Sequence, residues 1–431
     1  MDGMKSALAA LVVSWAWTLT AQAQEQIPTP PPREAHALSL SGAEYLAITY
    51  NPRMQEARAR LDQARGQAMQ ATLYPNPRFD PGNPQQFAGS SSLYNGGVSQ
   101  QVVVAGKLKL DGAAAERAVE QANFALARAR FDLLRDVRKQ FVALLAARDR
   151  VITGRMLVGN ASRSAHVSQG LYGRGLLAKT DVLLLEIEWH RAEASLRAVE
   201  ATFAGASKQL AAVIGIPNLA VDDVQGTLRL PLPQLDQCIE RHDALARNSQ
   251  LEIARLEIAR TNILLKRAEV EPIPNPTVQS GYQYALEPDH NQVMIGFYFD
   301  IPIWNQNQGN IRSAGANVTE AVAALNSTRN DLLRQMADAV ARYRAATQVA
   351  IKYEEQILPD AEQTLKLLQE GLSGGELDLF RVLQGQRAIA EARRELITAQ
   401  QERLDAAIDI ANLLQIPLVC EPQELRAPAA R

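Results

Sequence analysis

The chain contains an internal duplication, and this feature limits its fold more than any other. Three motifs recur in the same order about 200 residues apart. The recurring motifs are Pro-Asn-Pro (75–77 and 274–276), a Gly-containing turn followed by Val-Leu (173–183 and 374–383) and Ile-Pro (216–217 and 416–417). One match would carry little weight, whereas three in register indicate two copies of one structural unit.

Both copies predict the same order of elements. Each begins with a helix that Pro-Asn-Pro ends, because proline lacks a backbone N–H and disfavours helix in the residue before it. Two short strand candidates follow, then a very long helix, a Gly-containing turn and a return helix. The predicted helices cover 55–73, 113–171 and 180–214 in the first copy and 251–270, 314–372 and 379–414 in the second.

The return helices carry a coiled-coil pattern, in which apolar residues alternate spacings of three and four. In the first copy the series is Val182, Leu185, Trp189, Ala192, Leu196, Val199, Phe203, Ala206, Leu210 and Val213. In the second it is Val382, Gly385, Ile389, Ala392, Leu396, Ala399, Arg403, Ala406, Ile410 and Leu413, with only Arg403 out of type. A long helix of ~60 residues at a rise of 1.5 Å measures about 90 Å. Hairpins of that length must project from any compact core.

The strand candidates of the second copy alternate apolar and polar residues. One face carries Val293, Ile295, Phe297, Phe299 and Ile301, and the preceding strand alternates in the same way over Val278, Ser280, Tyr282 and Tyr284. About ten residues of this pattern span an outer membrane when tilted, with lipid on one face and water on the other. A hairpin packed on a soluble core is the alternative. In the first copy, Pro81, Pro84 and the stretch 89–92 interrupt the pattern, and Val98, Gln100, Val102 and Val104 approximate the outward face.

Four strands in one chain cannot close a transmembrane barrel, since the smallest have about eight. An open edge in lipid would leave backbone groups unpaired, at several kcal/mol each. Identical copies must therefore pool their strands under cyclic symmetry. A dimer would supply eight strands, a barrel that side chains fill, whereas three copies supply twelve strands and leave room for a pore. We therefore predict a homotrimer with a 12-stranded outer-membrane β-barrel and long helical hairpins below it. The fold class is mainly α, with a membrane β part.

Composition and the N-terminus predict secretion and argue against a nucleic-acid partner. A net charge of −2 over 431 residues offers no basic footprint. Lys5, the apolar stretch 7–19 and Ala21-Gln22-Ala23 have the pattern of a signal peptide.

Cys238 and Cys420 follow the two repeats at comparable places. A disulfide between them and two free thiols are both compatible with an oxidising compartment.

These patterns divide the chain into predicted segments. They are a signal peptide (1–23), a linker (24–38), a first repeat (39–218, strand pair 77–104, tip near 173–180), an equatorial connector (219–236), a second repeat (237–418, strand pair 276–303, tip near 373–379) and a C-terminal tail (419–431).

Other classes of protein have little support in the sequence. It lacks H-E-x-x-H, G-x-S-x-G, P-loop and C-x-x-C motifs, so we predict no enzyme, no cofactor and no metal site. His190 and Glu193 are three residues apart on a helix, a spacing that is more often a solvated face than a metal site. A structural coiled coil of the periplasm would not need amphipathic strands. A periplasmic adaptor would carry one helical hairpin rather than two.

Four segments carry a family resemblance: 43–51 (AEYLAITYN), both Pro-Asn-Pro triplets, 175–182 (GLLAKTDV) and 301–309 (IPIWNQNQG). On these residues the chain resembles the TolC-like outer-membrane efflux family, over essentially the whole mature chain, and 301–309 is similar to the heavy-metal branch. The resemblance implies a trimeric exit duct in outer-membrane lipid, in which the long helical hairpins form an α-barrel that extends into the periplasm. It also implies docking on a periplasmic adaptor and on an inner-membrane pump of the resistance-nodulation-division type. The alternative within the family is a duct for type I protein secretion.

The resemblance also assigns residues to the hairpin tips. The adaptor-docking residues would be Gly175, Leu176, Leu177, Ala178 and Thr180 in the first repeat and Gly375, Glu376 and Leu377 in the second. The aperture candidates are Asp181, Asp378, Arg381 and Gln384. Known members carry acidic side chains just after the second tip, where this chain has Arg381 and Gln384. The ring of the aperture is therefore basic, or Asp378 supplies its carboxylate.

Overall fold

A computed structural model describes residues 38–81, 85–86, 92–221, 224–229, 245–285, 290–374 and 379–416. The first repeat forms α1 (Leu40–Tyr50), α2 (Pro52–Ala71), β1 (Arg78–Asp80), β2 (Gln85–Gln86), β3 (Ser92–Gln101), α3 (Lys107–Gly173) and α4 (Lys179–Ile214). The second forms α5 (Ser249–Val270), β4 (Thr277–Ala285), β5 (His290–Tyr298), α6 (Gln308–Lys352), a π-helical turn (Tyr353–Ile357), α7 (Leu358–Gly374) and α8 (Leu379–Leu414). The described chain is mainly helical with one small sheet, as the sequence predicts.

The long helix of the second repeat is interrupted where the sequence predicts one continuous helix. The interruption is the π-helical turn, in which the N–H of Leu358 donates to the carbonyl of Tyr353. Pro359 explains it, because proline cannot donate to the carbonyl four residues earlier and its ring clashes with that group. The first repeat has Val158 at the corresponding position, and α3 runs through 67 residues without a break, about 100 Å.

The strands form one antiparallel sheet in the order β1-β3-β4-β5, with β2 also pairing with β3. In the first repeat the outgoing strand is split into β1 and β2, and its register slips by one residue between Asp80 and Gln85. The prolines that interrupt the predicted pattern lie in this stretch. Proline in a sheet is confined to edges and bulges.

The register of the sheet confirms the predicted division into faces. Val278 lies opposite Phe297, and Ser280 lies opposite Ile295, so the apolar residues of β4 and β5 share a face. Val98 of β3 lies opposite Ser280 and extends that face into the first hairpin. Ile295 is 81% exposed and Phe297 is 73% exposed. The sheet therefore presents a broad apolar face that no described part of the chain covers.

The largest buried cluster lies where the return helices α4 and α8 end against α3. Its fully buried side chains include Leu133, Leu144, Leu145, Leu210, Ile214, Leu404, Ile408 and Ile410. We call this cluster the waist. No helix among the described residues is long and apolar enough to cross a membrane.

Candidate functional site

The first hairpin reverses over five residues, 174–178, between α3 and α4. Gly175 adopts a positive φ of 73°, which glycine takes without a steric penalty. The N–H of Gly175 donates to the carbonyl of Tyr172 (2.9 Å), and the N–H of Leu176 donates to that of Leu171 (3.0 Å). These bonds satisfy the last carbonyls of α3. Leu176 is 66% exposed, so the turn presents an apolar side chain to solvent.

The remaining tip residues of the first repeat surround Leu176. Ala178 and Thr180 are exposed, and Leu177 is half-buried. Asp181 lies in the first turn of α4, where the helix dipole favours a carboxylate. The structure thus gathers all five residues predicted for the first tip at one exposed reversal.

The second tip lies outside the described residues. Gly375, Glu376, Leu377 and Asp378 fall there, as do Cys238 and Cys420. Arg381 and Gln384 are described, and both are exposed on the first turns of α8. The charge of the aperture therefore stays a prediction.

The predicted coiled-coil seam faces inward in both return helices. Every residue of the series in α4 and α8 is buried or half-buried. At Gly385, a Cβ atom would lie 2.8 Å from Cδ1 of Leu368, so glycine permits α7 and α8 to approach closely. The residue at the corresponding place in the first hairpin is Leu185, 1% exposed. The second hairpin is therefore packed more closely at this level than the first.

Polar contacts join the two hairpins near their tips. The carboxylate of Glu188 on α4 accepts hydrogen bonds from Arg191 (3.1 Å) and from Arg387 on α8. Close by, Gln386 donates to Oγ of the buried Ser164 on α3 (2.8 Å). A cleft of about 200 Å³ between the hairpins is lined by Glu188, Arg191 and Arg387. Sequence reasoning missed these contacts, because no local pattern pairs residues about 200 positions apart.

Two arginines bind the connector between the repeats. Arg148 of α3 donates to the carbonyls of Val224 (2.7 Å) and Gly226 (3.0 Å). Arg403 of α8 reaches the carbonyl of Leu228 (3.4 Å). These charged donors satisfy backbone carbonyls of the connector within 224–229, a described stretch that forms neither a helix nor a strand of the sheet. The contact explains why Arg403 breaks the apolar series of α8.

A charged cluster lies beside the waist. Asp409 on α8 pairs with Lys139 on α3 (2.6 Å) and with Arg342 on α6 (3.1 Å). Asp405 lies one turn earlier on α8. Burial, with a smaller contribution from the charge of Asp409, raises the pKa of Asp405 to about 6 against the opposing charge of Lys139. The cluster ties three long helices together at the base of the hairpins.

The histidines of the first hairpin form ring contacts. His190 stacks on Trp189, with ring centroids 5.2 Å apart, and its Nδ1 lies 3.4 Å from the carboxylate of Glu193. His166 also contacts Trp189, with ring centroids 6.0 Å apart, and both histidines are exposed. In the described part of the chain, no three His, Cys, Asp or Glu side chains are grouped closely enough to hold a metal ion.

The sequence matches the model of the family described as "Outer membrane efflux protein" twice, over residues 45–216 and 241–414. These two matches cover most of the chain and coincide with its two copies of helices and strands. The chain belongs to the outer membrane efflux protein family. Membership makes it a channel protein of the outer membrane with a periplasmic extension, rather than an enzyme.

One curated relative and several solved structures resemble this family member. It is 26% identical to the cobalt-zinc-cadmium resistance protein CzcC of Cupriavidus metallidurans over 381 residues, which cover 88% of this chain and 90% of CzcC. The structure of CusC matches with a TM-score of 0.75 at 15% identity, covering 90% of this chain and 95% of CusC. The open state of the MtrE outer membrane channel of Neisseria gonorrhoeae matches with a TM-score of 0.74 at 17% identity, covering 91% and 95%. The fold class, the TolC-like resemblance and the outer-membrane location are thereby confirmed.

Proposed function

We propose that three copies of this chain assemble into a passive exit duct of a tripartite efflux system. The observation that carries the proposal is the sheet, which has one apolar and one polar face and whose two edges are unpaired within the described residues. A sheet with a lipid-compatible face is stable in a membrane only when every edge is paired. Three copies would supply a closed sheet of twelve strands, with the split strand β1 and β2 counted once.

The helical hairpins would form the periplasmic part of the duct. The first tip supports docking on an adaptor protein, because Leu176 is exposed at the far end of the hairpin, with Gly175 before it and Ala178 two residues after it. An exposed apolar side chain at the centre of a contact gains most from being covered by a partner. The pump on the inner membrane would be of the resistance-nodulation-division type, as in the efflux systems that this family serves.

We propose divalent metal cations as the cargo. The support is the similarity to CzcC, which extends over 90% of a protein named for resistance to cobalt, zinc and cadmium. In this scheme the pump selects the cation and the duct conducts it, so the duct needs no binding site of high affinity.

A deletion strain tests the cargo. Loss of the gene should lower resistance to cobalt, zinc or cadmium, and leave resistance to dyes, detergents and hydrophobic drugs unchanged. Complementation with the wild-type chain should restore growth, and complementation with Leu176→Asp should not. Sensitivity to drugs without sensitivity to metals would replace the metal assignment with small organic compounds. Loss of a secreted protein from the medium would replace it with type I secretion.

A further inference from the structure

The sheet ends in two open edges. Among the described residues, β1 and β2 pair only with β3, and β5 pairs only with β4. Such edges present unpaired backbone N–H and C=O groups that a strand of another chain can bind. The direction of the strands allows β5 to meet β1 of a second copy in an antiparallel arrangement, because successive neighbours in the sheet alternate in direction.

The two hairpins have the same register. Arg78 lies opposite Ser99 in the first hairpin, and Thr277 lies opposite Tyr298 in the second. Each residue of the second pair follows its counterpart by the same number of positions, 199. The Pro-Asn-Pro triplets that precede the hairpins have the same offset. Residues 78–80 and 97–99 of the first hairpin can therefore be placed on residues 277–279 and 296–298 of the second, residue by residue.

The chain also contains a junction from the first hairpin to the second. At this junction Gln101 lies opposite Thr277, and Gln100 lies opposite Val278. The same junction can be built from the second hairpin of one copy to the first hairpin of another by applying the offset of 199 residues. The residue that corresponds to Gln101 is then Asp300, and the residue that corresponds to Thr277 is Arg78. In the same way, Phe299 corresponds to Gln100 and Phe79 corresponds to Val278.

Both resulting pairs are chemically complementary. Arg78 and Asp300 carry opposite charges, belong to the polar face and are exposed. Neither forms an ion pair with another residue in the described ranges of this chain. Phe79 is 71% exposed and Phe299 is 49% exposed, and both belong to the apolar face. Phe299 already stacks with Phe297 at a centroid distance of 6.5 Å, so Phe79 would extend an aromatic row.

We propose that β5 of one copy, continued by the two residues that follow it, Phe299 and Asp300, pairs with β1 of the next copy in the register that sets Asp300 opposite Arg78 and Phe299 opposite Phe79. This inference rests on the proposed trimer and specifies the contact that closes its sheet. Cross-strand pairs of opposite charge and of aromatic rings stabilise a sheet, and they fix which register forms. The pairing is short, because Pro81 follows β1 and has no N–H to donate.

Disulfide trapping tests the register. In a background with Cys238→Ser and Cys420→Ser, we would combine Phe79→Cys with Phe299→Cys and oxidise the outer-membrane fraction. Residues directly opposite in antiparallel strands have Cα atoms about 4.5–5.5 Å apart, within reach of a disulfide. The expected result is a covalent trimer on denaturing gels, because every copy carries both cysteines. Gln100→Cys with Val278→Cys is the matched control, and it should link within one chain only.

A second pair separates this register from its neighbours. Phe79→Cys with Phe297→Cys lies on the same face but two residues out of register, where side chains are about 7–8 Å apart. It should link poorly. Preferential linking of this pair would overturn the proposed register. If neither pair links in a chain that still runs as a trimer, the pairing of β5 with β1 of the next copy is overturned, and the proposed trimeric duct is not. A wild-type chain that is monomeric would overturn both.

Charge reversal gives an independent test. Arg78→Asp sets two carboxylates opposite each other, as Asp300→Arg does for two guanidinium groups. Each single variant should weaken each junction about fivefold, seen as a smaller trimer fraction. The double variant Arg78→Asp with Asp300→Arg should restore the wild-type fraction. A double variant no better than the singles would contradict the pairing.

Discussion

Asn51 donates a hydrogen bond from Nδ2 to the carbonyl of Val213 at 2.6 Å, and so joins the start of α2 to the end of α4. Its Oδ1 also accepts from the N–H of Arg53 (2.8 Å) and caps α2. Asn248 repeats both contacts in the second repeat, with the carbonyl of Leu413 (2.9 Å) and the N–H of Gln250 (2.8 Å). Both asparagines are buried. The duplication therefore preserves one capping asparagine at the base of each hairpin, which also hydrogen-bonds to the end of the return helix.

Replacing Asn248 by Ala should lower the free energy of unfolding by about 1–3 kcal/mol, because it removes a helix cap and leaves a buried carbonyl unsatisfied. Denaturant titration of the purified protein in detergent would measure the change. Ser39→Ala is the matched control, since Ser39 caps α1 by a longer bond to Gly42 (3.2 Å) in a more exposed place. An equal loss in both variants would mean that the bond to Leu413 adds nothing.

The elements that the sequence predicts correctly are those with local signals. Pro-Asn-Pro and the heptads of α4 and α8 identified the helices and the hairpins, because both signals act over short distances. The capping residue Asn51 is the last residue of one of the segments that carried the family resemblance, 43–51. The contact of Glu188 with Arg387 and that of Arg403 with the connector depend on how distant segments pack, so no local pattern encodes them. The π-helical turn follows from one proline whose effect depends on the packing of α7.

The pKa of Asp405 makes stability depend on pH. Its folded-state pKa of about 6 lies above the ordinary value of 3.8, so the folded protein favours the protonated form. Stability from this group is therefore fully present below the ordinary value and is lost as pH rises through about 6. Asp405→Asn should be more stable than the wild type by about 1–2 kcal/mol at pH 8, and the two should converge near pH 4. Thermal unfolding at both pH values would measure this; a constant difference would contradict it.

Leu176→Asp should abolish export without affecting assembly, because it places a charge at the centre of the proposed contact with the adaptor. Metal resistance and trimer yield should be measured on the same membranes. Ile152→Asp is the control: this side chain is also exposed (49%) on the same hairpin, about 30 Å from the tip. Normal export by Leu176→Asp would remove the first tip from the docking surface.

Arg387→Glu should loosen the contact between the hairpins, because it sets two carboxylates together at Glu188. The ion pair is partly exposed, with 64% of the Arg387 side chain accessible, so its contribution is at most about 1 kcal/mol. A loosened contact should let more large hydrophilic antibiotic pass through the duct into the cell, and we expect this entry to rise about twofold to fivefold. The double variant with Glu188→Arg should reverse the rise. Unchanged entry in the single variant would mean that other contacts hold the tips together.

The oligomeric state of the protein extracted from the outer membrane tests the central claim most directly. Its mass in detergent, measured by light scattering with the detergent contribution subtracted, should equal that of three mature chains. The same protein should be absent from a periplasmic extract. A single chain in the periplasmic extract, with none in the outer membrane, would contradict the account, because in one copy the described strands leave both edges of the sheet unpaired.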